Sequence, residues 1–360
     1  MAKSLWCILT RFLPRLLVMV LLFTGAQGLL VAPGAAQGIA TGVTMETGPE
    51  NTLGNRSDAE IWHDLRLGAD GIVTPPSGPD AGTVINANGT WWSNMRRADG
   101  PLVRYGGYGL AGVVGILLLF FLIRGRIGYG EDSGKQILRF RLSQRVVHWT
   151  VAAIFILMAA TGLILLFGRA YVVPFAGKTV YSVLATASMQ AHNLFGPVFA
   201  VFLLAMLFLF IRGNIPKPHD IWWILKGGGF FGGHASAGKY NFGEKLWFWT
   251  AILAGITLTV TGFLMLFPDT FAPEVVKTLQ AQGLSQIPPT RDTIHYSELA
   301  HAIAALIFIG YALGHIYLGT IGTKGSLKGM VDGKVDENWA RAHHDLWLDL
   351  QQKKQQETEK

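Results

Sequence analysis

The fold is decided by one apolar stretch near the C-terminus, HAIAALIFIGYALGH, which runs from His301 to His315. Its two histidines are separated by about four turns of α-helix at ~3.6 residues per turn. Both imidazoles are therefore expected on one face of a helix, about 21 Å apart at ~1.5 Å per residue. Polar side chains are rare in so apolar a helix and are usually functional there. The stretch predicts one helix that serves two sites at different depths.

Most of the chain is apolar. Hydrophobic residues make up 50% of it and charged residues 15%, whereas about a quarter of a soluble domain is charged. Five apolar segments are each long enough to cross roughly 30 Å of hydrocarbon as a helix. They lie at about residues 103–123, 146–167, 191–211, 246–267 and 294–319. The sequence therefore predicts an all-α integral membrane protein.

The net charge of +7 is concentrated in the loops on one side of these spans. The basic residues of that side are Arg124, Arg126, Lys135, Arg139, Arg141, Arg145, Arg212, Lys217, Lys226, Lys239, Lys245, Lys324, Lys328, Lys334 and Arg341. The opposite loops contain only Arg169, Lys178, Lys277 and Arg291. The positive-inside rule then puts the N-terminal arm outside and the C-terminus in the cytoplasm of a bacterial inner membrane. Membrane topology explains the charge, so we expect contact with lipid and no nucleic-acid partner.

The N-terminus has the layout of a secretory signal peptide. Basic residues at Lys3, Arg11 and Arg15 precede a short apolar run at 16–23, and small residues end near Ala36. The alternative is an uncleaved first anchor, although this apolar run is shorter than the ~20 residues that a span needs. The segment therefore favours export of the residues that follow it.

The sequence accordingly divides into five parts. These are the signal peptide (1–36), a periplasmic N-terminal arm (37–101), an extra transmembrane helix (102–124), a four-helix membrane domain (139–320) and a cytoplasmic tail (321–360). The only cysteine, Cys7, falls in the signal peptide. Any metal in the mature chain is therefore held by histidine or oxygen.

Four histidines lie within the apolar segments: His148, His192, His301 and His315. The first and last of these are near the cytoplasmic ends of their spans, and the other two are near the outer ends. Each level therefore has two imidazoles on different helices, which suits a haem, because the porphyrin supplies the other four iron ligands. Zinc would need four protein ligands. For any one histidine alone, a hydrogen bond to a neighbouring helix is the alternative.

Three further histidines are interpreted as serving other roles. His295 lies six positions before His301 and projects to a different face at the outer interface, which favours a solvated or capping role. His343 and His344 fall in the polar C-terminal segment and are interpreted as tail residues.

A glycine-rich segment, 226–245, precedes the fourth span. It has neither Walker spacing nor a following Lys-Ser or Lys-Thr, which argues against nucleotide binding. Asn241, Glu244 and the backbone around Gly243 place hydrogen-bonding groups at the cytoplasmic level of His148 and His315. A quinone head group fits such an interface.

Several motifs extend the histidine pattern. They are Arg145-Val-Val-His148-Trp149, Thr161-Gly162, His192-Asn-Leu-Phe-Gly196, Gly238-Lys-Tyr-Asn-Phe-Gly-Glu-Lys245 and Thr261-Gly262. Together with the His301 and His315 pair, they resemble the cytochrome b (gamma) subunit of respiratory membrane-bound formate dehydrogenase. The resemblance covers about residues 139–319. It implies a four-helix di-haem cytochrome b bundle plus one extra N-terminal transmembrane helix.

The resemblance also implies roles for individual residues. His192 and His301 would ligate the iron of an outer haem b, and His148 and His315 that of an inner haem b. Asn241, Gly243 and Glu244 would line the pocket of a quinone, the electron acceptor. The family often has glutamine where this chain has Glu244, which is therefore a point of departure. These roles apply only to the positions of this chain that match the family's motifs.

The implied partners are an iron–sulfur (beta) subunit and a molybdenum- or tungsten-containing catalytic (alpha) subunit. This chain would anchor them and carry electrons to quinone in a respiratory chain, with no formate chemistry of its own. A related alternative is the cytochrome b subunit of a nickel–iron hydrogenase or another quinone-linked oxidoreductase, because these proteins share the same arrangement of histidines. A transporter with a histidine proton relay is a different class, and the sequence has no inverted repeat that would favour it.

Overall fold

The computed structural model describes residues 91–358, except residue 93 and the segments 230–233 and 282–289. The predicted signal peptide and nearly all of the predicted arm lie outside the described residues. Within them, five helices are long and apolar enough to cross a membrane. The predicted all-α membrane fold is confirmed.

Each of these five helices begins before the apolar segment that predicted it. They are α1 (Pro101–Arg124), α2 (Leu142–Tyr171), α3 (Val173–Asn214), α5 (Phe242–Leu266) and α7 (Thr290–Tyr317), the last continued by a π-helical turn at Leu318–Gly322. Helix α3 begins well before the predicted span and is interrupted at Gly177, whose φ of 80° is open to glycine at little cost. Helical hydrogen bonding thus continues through polar residues that hydropathy assigns to loops.

The bundle is built from two helix pairs, α2 with α3 and α5 with α7. The pairs meet through contacts between α3 and α5, where a Cβ on Gly255 would lie 2.6 Å from a methyl carbon of Leu203. Phe199, Ile252 and Phe308 are among the buried side chains at the centre. Helix α1 packs mainly against α7 on the outside of the bundle, as the extra helix of the prediction requires.

Two shorter helices flank the spans. Helix α4 (His219–Leu225) lies between α3 and α5, and α6 (Pro268–Ala281) follows α5. Helix α4 is joined to α5 by a buried ion pair, in which Lys245 Nζ is 2.7 Å from Asp220 Oδ2. We call the end of the bundle that carries α4 the inner end, and the opposite end the outer end.

The C-terminal residues form a folded unit at the inner end. Strand β1 (Gln136–Leu138) pairs antiparallel with β2 (Lys334–Asp336), and the helices α8 (Ser326–Val331), α9 (Glu337–His343) and α10 (Asp345–Thr358) surround them. Val335, Trp339 and Leu348 are buried together. The interpretation of His344 as a tail residue is wrong, because its side chain is 1% exposed. We call residues 326–358 the C-terminal cap.

Candidate functional site

The outer pair of histidines meets between two helices. His192 of α3 and His301 of α7 have ring centroids 6.1 Å apart, with the ring planes at 62°. A metal–imidazole bond of about 2.0 Å, added to about 1.1 Å from the nitrogen to the ring centre on each side, gives roughly 6 Å between centroids. The two rings therefore have the separation of a pair that shares one metal ion.

A threonine on the neighbouring helix holds each outer imidazole. The hydroxyl of Thr161 is 2.9 Å from His192 Nδ1, and that of Thr261 is 2.9 Å from His301 Nδ1. Each hydroxyl donates to the carbonyl four residues earlier, so its oxygen accepts from Nδ1–H. The proton on Nδ1 leaves the lone pair of Nε2 for a metal, as in ligating histidines generally.

A glycine follows each of these threonines and lies beside the imidazole, at a distance where a Cβ would be in ordinary van der Waals contact. A Cβ on Gly162 would lie 3.4 Å from His192 Cε1, and one on Gly262 would lie 3.5 Å from His301 Cε1. The two helix pairs thus repeat one arrangement, a Thr-Gly dipeptide facing a histidine. Both dipeptides are recognisable as motifs in the sequence, but their contact with the histidines is visible only in the structure.

The inner pair has the same separation. His148 of α2 and His315 of α7 have ring centroids 6.1 Å apart at 57°. Trp247 of α5 stacks on His315, with centroids 4.8 Å apart and planes at 10°. Within the described residues, His148 Nδ1 is buried and has no hydrogen-bond partner. The structure therefore brings together all four predicted histidines as two pairs, one at each level.

Aromatic side chains occupy the space between the two levels. Phe308 lies midway between His301 and His315 on α7 and is 3% exposed. Its ring is 4.4 Å from that of Phe155 and 5.8 Å from that of Trp247. The residues between the pairs are thus apolar and closely packed.

A cavity of about 1450 Å³ adjoins the inner pair. Its walls include all of the residues predicted for the inner haem and the quinone, namely His148, His315, Asn241, Gly243 and Glu244. The cavity continues between α1 and α7, past Gly109 and Gly310. It therefore combines a polar end beside the histidines with an apolar extension towards the lipid-facing helix.

Asn241 and Glu244 also begin helix α5 as a reciprocal cap. Asn241 Oδ1 accepts from the Glu244 amide at 2.9 Å, and Glu244 Oε2 accepts from the Asn241 amide at 3.0 Å. The other carboxylate oxygen accepts from Arg139 Nη2 at 2.8 Å. The spacing Asn-x-x-Glu before an apolar run is the sequence signal of such a helix cap, and it was not used in the prediction. Both side chains are therefore held in place before any ligand binds.

Four polar residues near this cavity were not predicted as functional: His234, His343, His344 and Asp345. Three of them line the cavity, and the fourth, Asp345, bonds His234 Nε2 at 2.9 Å. Their signal in the sequence was the adjacent pair of histidines followed by an aspartate. That signal does not identify the cavity, because it depends on how the C-terminal cap folds back.

The sequence of this chain matches a known protein family. The model of the prokaryotic cytochrome b561 family matches residues 139–333, which include the four paired histidines. That match covers more than half of the chain. The chain therefore belongs to the prokaryotic cytochrome b561 family and is a multi-pass membrane protein.

Its relatives include cytochrome b subunits of formate dehydrogenase. The nitrate-inducible cytochrome b556(Fdn) subunit of Escherichia coli K12 is 31% identical over 229 residues, which is 60% of this chain and 92% of the relative. The cytochrome b556 subunit of Haemophilus influenzae is 31% identical, with 60% and 84% covered. The cytochrome b556(fdo) subunit of E. coli K12 is 29% identical, with 59% and 91% covered. The resemblance inferred from the motifs is confirmed.

Proposed function

We propose that this chain is the membrane-anchoring di-haem cytochrome b subunit of a formate dehydrogenase and that it passes electrons to quinone. The observation that carries the proposal is the pair of matched imidazole couples, each with centroids 6.1 Å apart, stacked along one helix. Two low-spin b-type haems suit this arrangement, because each pair of imidazoles would hold one haem iron. Haem, when bound, supplies one-electron oxidation and reduction.

The four histidines have defined tasks in this proposal. His192 and His301 hold the outer haem, and His148 and His315 hold the inner haem. Thr161 and Thr261 fix the two outer rings through their Nδ1 hydrogen bonds. The packed aromatic residues around Phe308 exclude water between the two levels.

The cavity beside His315 is the proposed quinone pocket. Asn241 and Gly243 offer polar atoms at its inner end, and Glu244 is held there by Arg139. The gap between α1 and α7 gives the apolar tail of a quinone a path from the lipid. Quinone reduction here would consume protons from the inner side.

The proposed topology follows the charge pattern. The inner end faces the cytoplasm of a bacterial inner membrane, and the iron–sulfur and catalytic subunits bind on the periplasmic side. The membrane cytochrome domain covers residues 139–320, preceded by the extra helix at 102–124. Formate oxidation outside and proton uptake inside would together generate a proton-motive force.

Spectroscopy of the purified complex tests the proposal. We expect two haems per copy of this chain, reduction of both by formate, and reoxidation by added menadione, a soluble naphthoquinone. As a control, His295→Gln should leave the haem content unchanged. His295 lies on the same helix as His301 but packs against Trp91 and Trp92. One haem per chain, or a failure of menadione to reoxidise formate-reduced haem, contradicts the proposal. Reduction by hydrogen but not by formate would instead support the hydrogenase alternative.

A further inference from the structure

The C-terminal cap forms part of the wall of the cavity beside His315. Trp339, His343 and His344 of the cap line it together with Glu244 and His315. The cap thus contributes two imidazoles to the proposed quinone pocket, neither of which is a candidate haem ligand. Their contacts differ in a way that indicates separate roles.

His344 is a fixed link between the cap and the start of α5. Its Nδ1 is 2.8 Å from the carbonyl oxygen of Gly238, to which it donates, and its Nε2 is 3.7 Å from Glu244 Oε2. Burial, with a smaller contribution from nearby Arg139, keeps its pKa well below the usual range, so the ring is neutral at pH 7. His344 therefore fixes the cap, and His343 with it, against the loop before α5, and the unprotonated Nε2 that it turns towards Glu244 donates no hydrogen bond to the carboxylate.

His343 has a nitrogen with no partner. Its Nε2 is buried and, within the part of the chain that the structure describes, makes no hydrogen bond. A buried polar atom of this kind is costly unless water or a ligand satisfies it. Burial lowers the pKa of His343 to about 4, although Glu244 opposes the shift and Arg139 and His234 reinforce it. The neutral ring can give a proton from one nitrogen and take one on the other.

His234 lies where the wall of the large cavity meets the inner surface of the protein. His234 is half exposed, and its Nε2 is 2.9 Å from Asp345 Oδ2. It lines both the large cavity and a smaller, more open one of about 360 Å³, which Asp345 also lines. Hydrogen bonds from His234 and the Ala237 amide outweigh the effect of burial and lower the pKa of Asp345 to about 2. The charged carboxylate of Asp345 thus lies on the solvent side of His343 and His344.

We infer that His343 transfers protons from the inner aqueous side to the quinone, with the His234–Asp345 pair as the point of uptake and His344 and Glu244 as positioning residues. The inference deepens the proposed function and rests on it. Each quinone carbonyl oxygen gains one proton and one electron to become a hydroxyl. The two electrons come from formate, and the two protons come from water through this relay.

The charged and titratable groups around His343 come from several elements. They are Glu244 at the start of α5, Arg139 before α2, His234 in the loop after α4, His344 and Asp345 in the cap, and His148 and His315 on the cavity wall. The test isolates His343 by substitution and by chemical rescue.

The experiment uses the complete complex in membranes and follows two rates. Formate reduction of the haems is measured first, and then their reoxidation by menadione between pH 6 and pH 9. His343→Gln keeps a polar side chain but cannot relay a proton, so we expect unchanged haem content and formate reduction, with reoxidation slowed on the order of 10- to 100-fold. Added imidazole should restore part of the rate, which a merely structural role of His343 would not explain.

His219→Gln is the matched control. Its Nε2 is also buried without a hydrogen bond among the described residues, but it lies near Asp220 and Gly238, away from the large cavity. We expect this variant to behave as wild type. Normal reoxidation with an unchanged pH profile in His343→Gln would overturn the inference, as would slow reoxidation that imidazole does not restore. If menadione fails to reoxidise the wild-type haems, the proposed function itself fails.

Discussion

The outer and inner histidine pairs share one ring separation, 6.1 Å, but differ in what surrounds them. At the outer level, threonine hydroxyls bond both Nδ1 atoms, and a glycine of the neighbouring helix lies beside each ring. At the inner level, Trp247 stacks on His315, and a large cavity begins beside the pair. In the proposed function, the shared geometry suits the same cofactor at both levels, whereas the different neighbours suit electron transfer alone at the outer level and contact with quinone at the inner level.

Replacement of one outer ligand should have the largest effect. We expect His192→Ala to lose the outer haem and formate-dependent reduction, while His148 and His315 still assemble the inner haem. The haem-to-protein ratio should fall to about half, because one of the two bis-histidine sites loses an axial ligand. Full haem content in His192→Ala would refute this role for His192.

The outer threonines should have the next largest effect. Thr161→Val removes the hydroxyl with little change in shape, and we expect the outer haem to bind 10- to 100-fold more weakly, about the effect of removing such a supporting hydrogen bond. Haem retention during dilution or competition with apomyoglobin measures it. Thr257→Val is a matched control, because its hydroxyl bonds only the Leu253 carbonyl. Equal haem retention in the two variants would contradict a supporting role for Thr161.

The reciprocal hydrogen bonds of Asn241 and Glu244 at the start of α5 can be tested at the inner level. Asn241→Ala should destabilise the start of α5 by about 1 kcal/mol. Glu244→Ala should cost more, because it also removes the partner of Arg139, whose side chain is 3% exposed. In both variants we expect the haems to remain reducible by formate and their reoxidation by quinone to slow. The thermal loss of haem absorbance and the reoxidation rate measure the two effects, and unchanged quinone reduction in both variants would move the pocket elsewhere.

The smallest effect should come from pH. The folded pKa of His343, about 4, is below the ordinary value of 6.5, so the unfolded cap binds more protons between these values. The stability that the buried neutral ring confers is complete above about pH 6.5 and is lost as the pH falls towards 4. We expect proteolysis of the cap to accelerate as the pH falls from 6.5 to 5, while the outer haem spectrum stays constant. Equal sensitivity at pH 8 and pH 5 would contradict this linkage.

The spans and their histidines were predictable because both signals are local. Hydropathy over some 20 residues identifies each span, and the spacing of His301 and His315 fixes their common face within one helix. The start of α3 near Val173 was not predicted, since that region contains Gly177 and Lys178 and is less apolar than the span itself. Local patterns therefore predicted the five spans better than the residues at which they begin and end.

The contacts between helices were less predictable. Prediction of the hydrogen bond from His192 Nδ1 to Thr161 requires knowing which helix faces meet, and hydropathy does not give this information. The cap of α5 was readable from Asn241 and Glu244 as Asn-x-x-Glu. The burial of His344 was not, because it follows from the return of the C-terminal cap onto the Gly238 carbonyl, more than a hundred residues away in sequence.

The pairing of β1 with β2 has a consequence for biosynthesis. Gln136 and Asp336 are opposite each other in the ladder, although about 200 residues separate them in the chain. The strand after α1 thus has no partner until the ribosome has completed the last span, and pairing over such a separation forms slowly. We therefore expect the inner end to close last, so that a nascent chain that ends before Lys334 can still receive haem at the inner level from the open side.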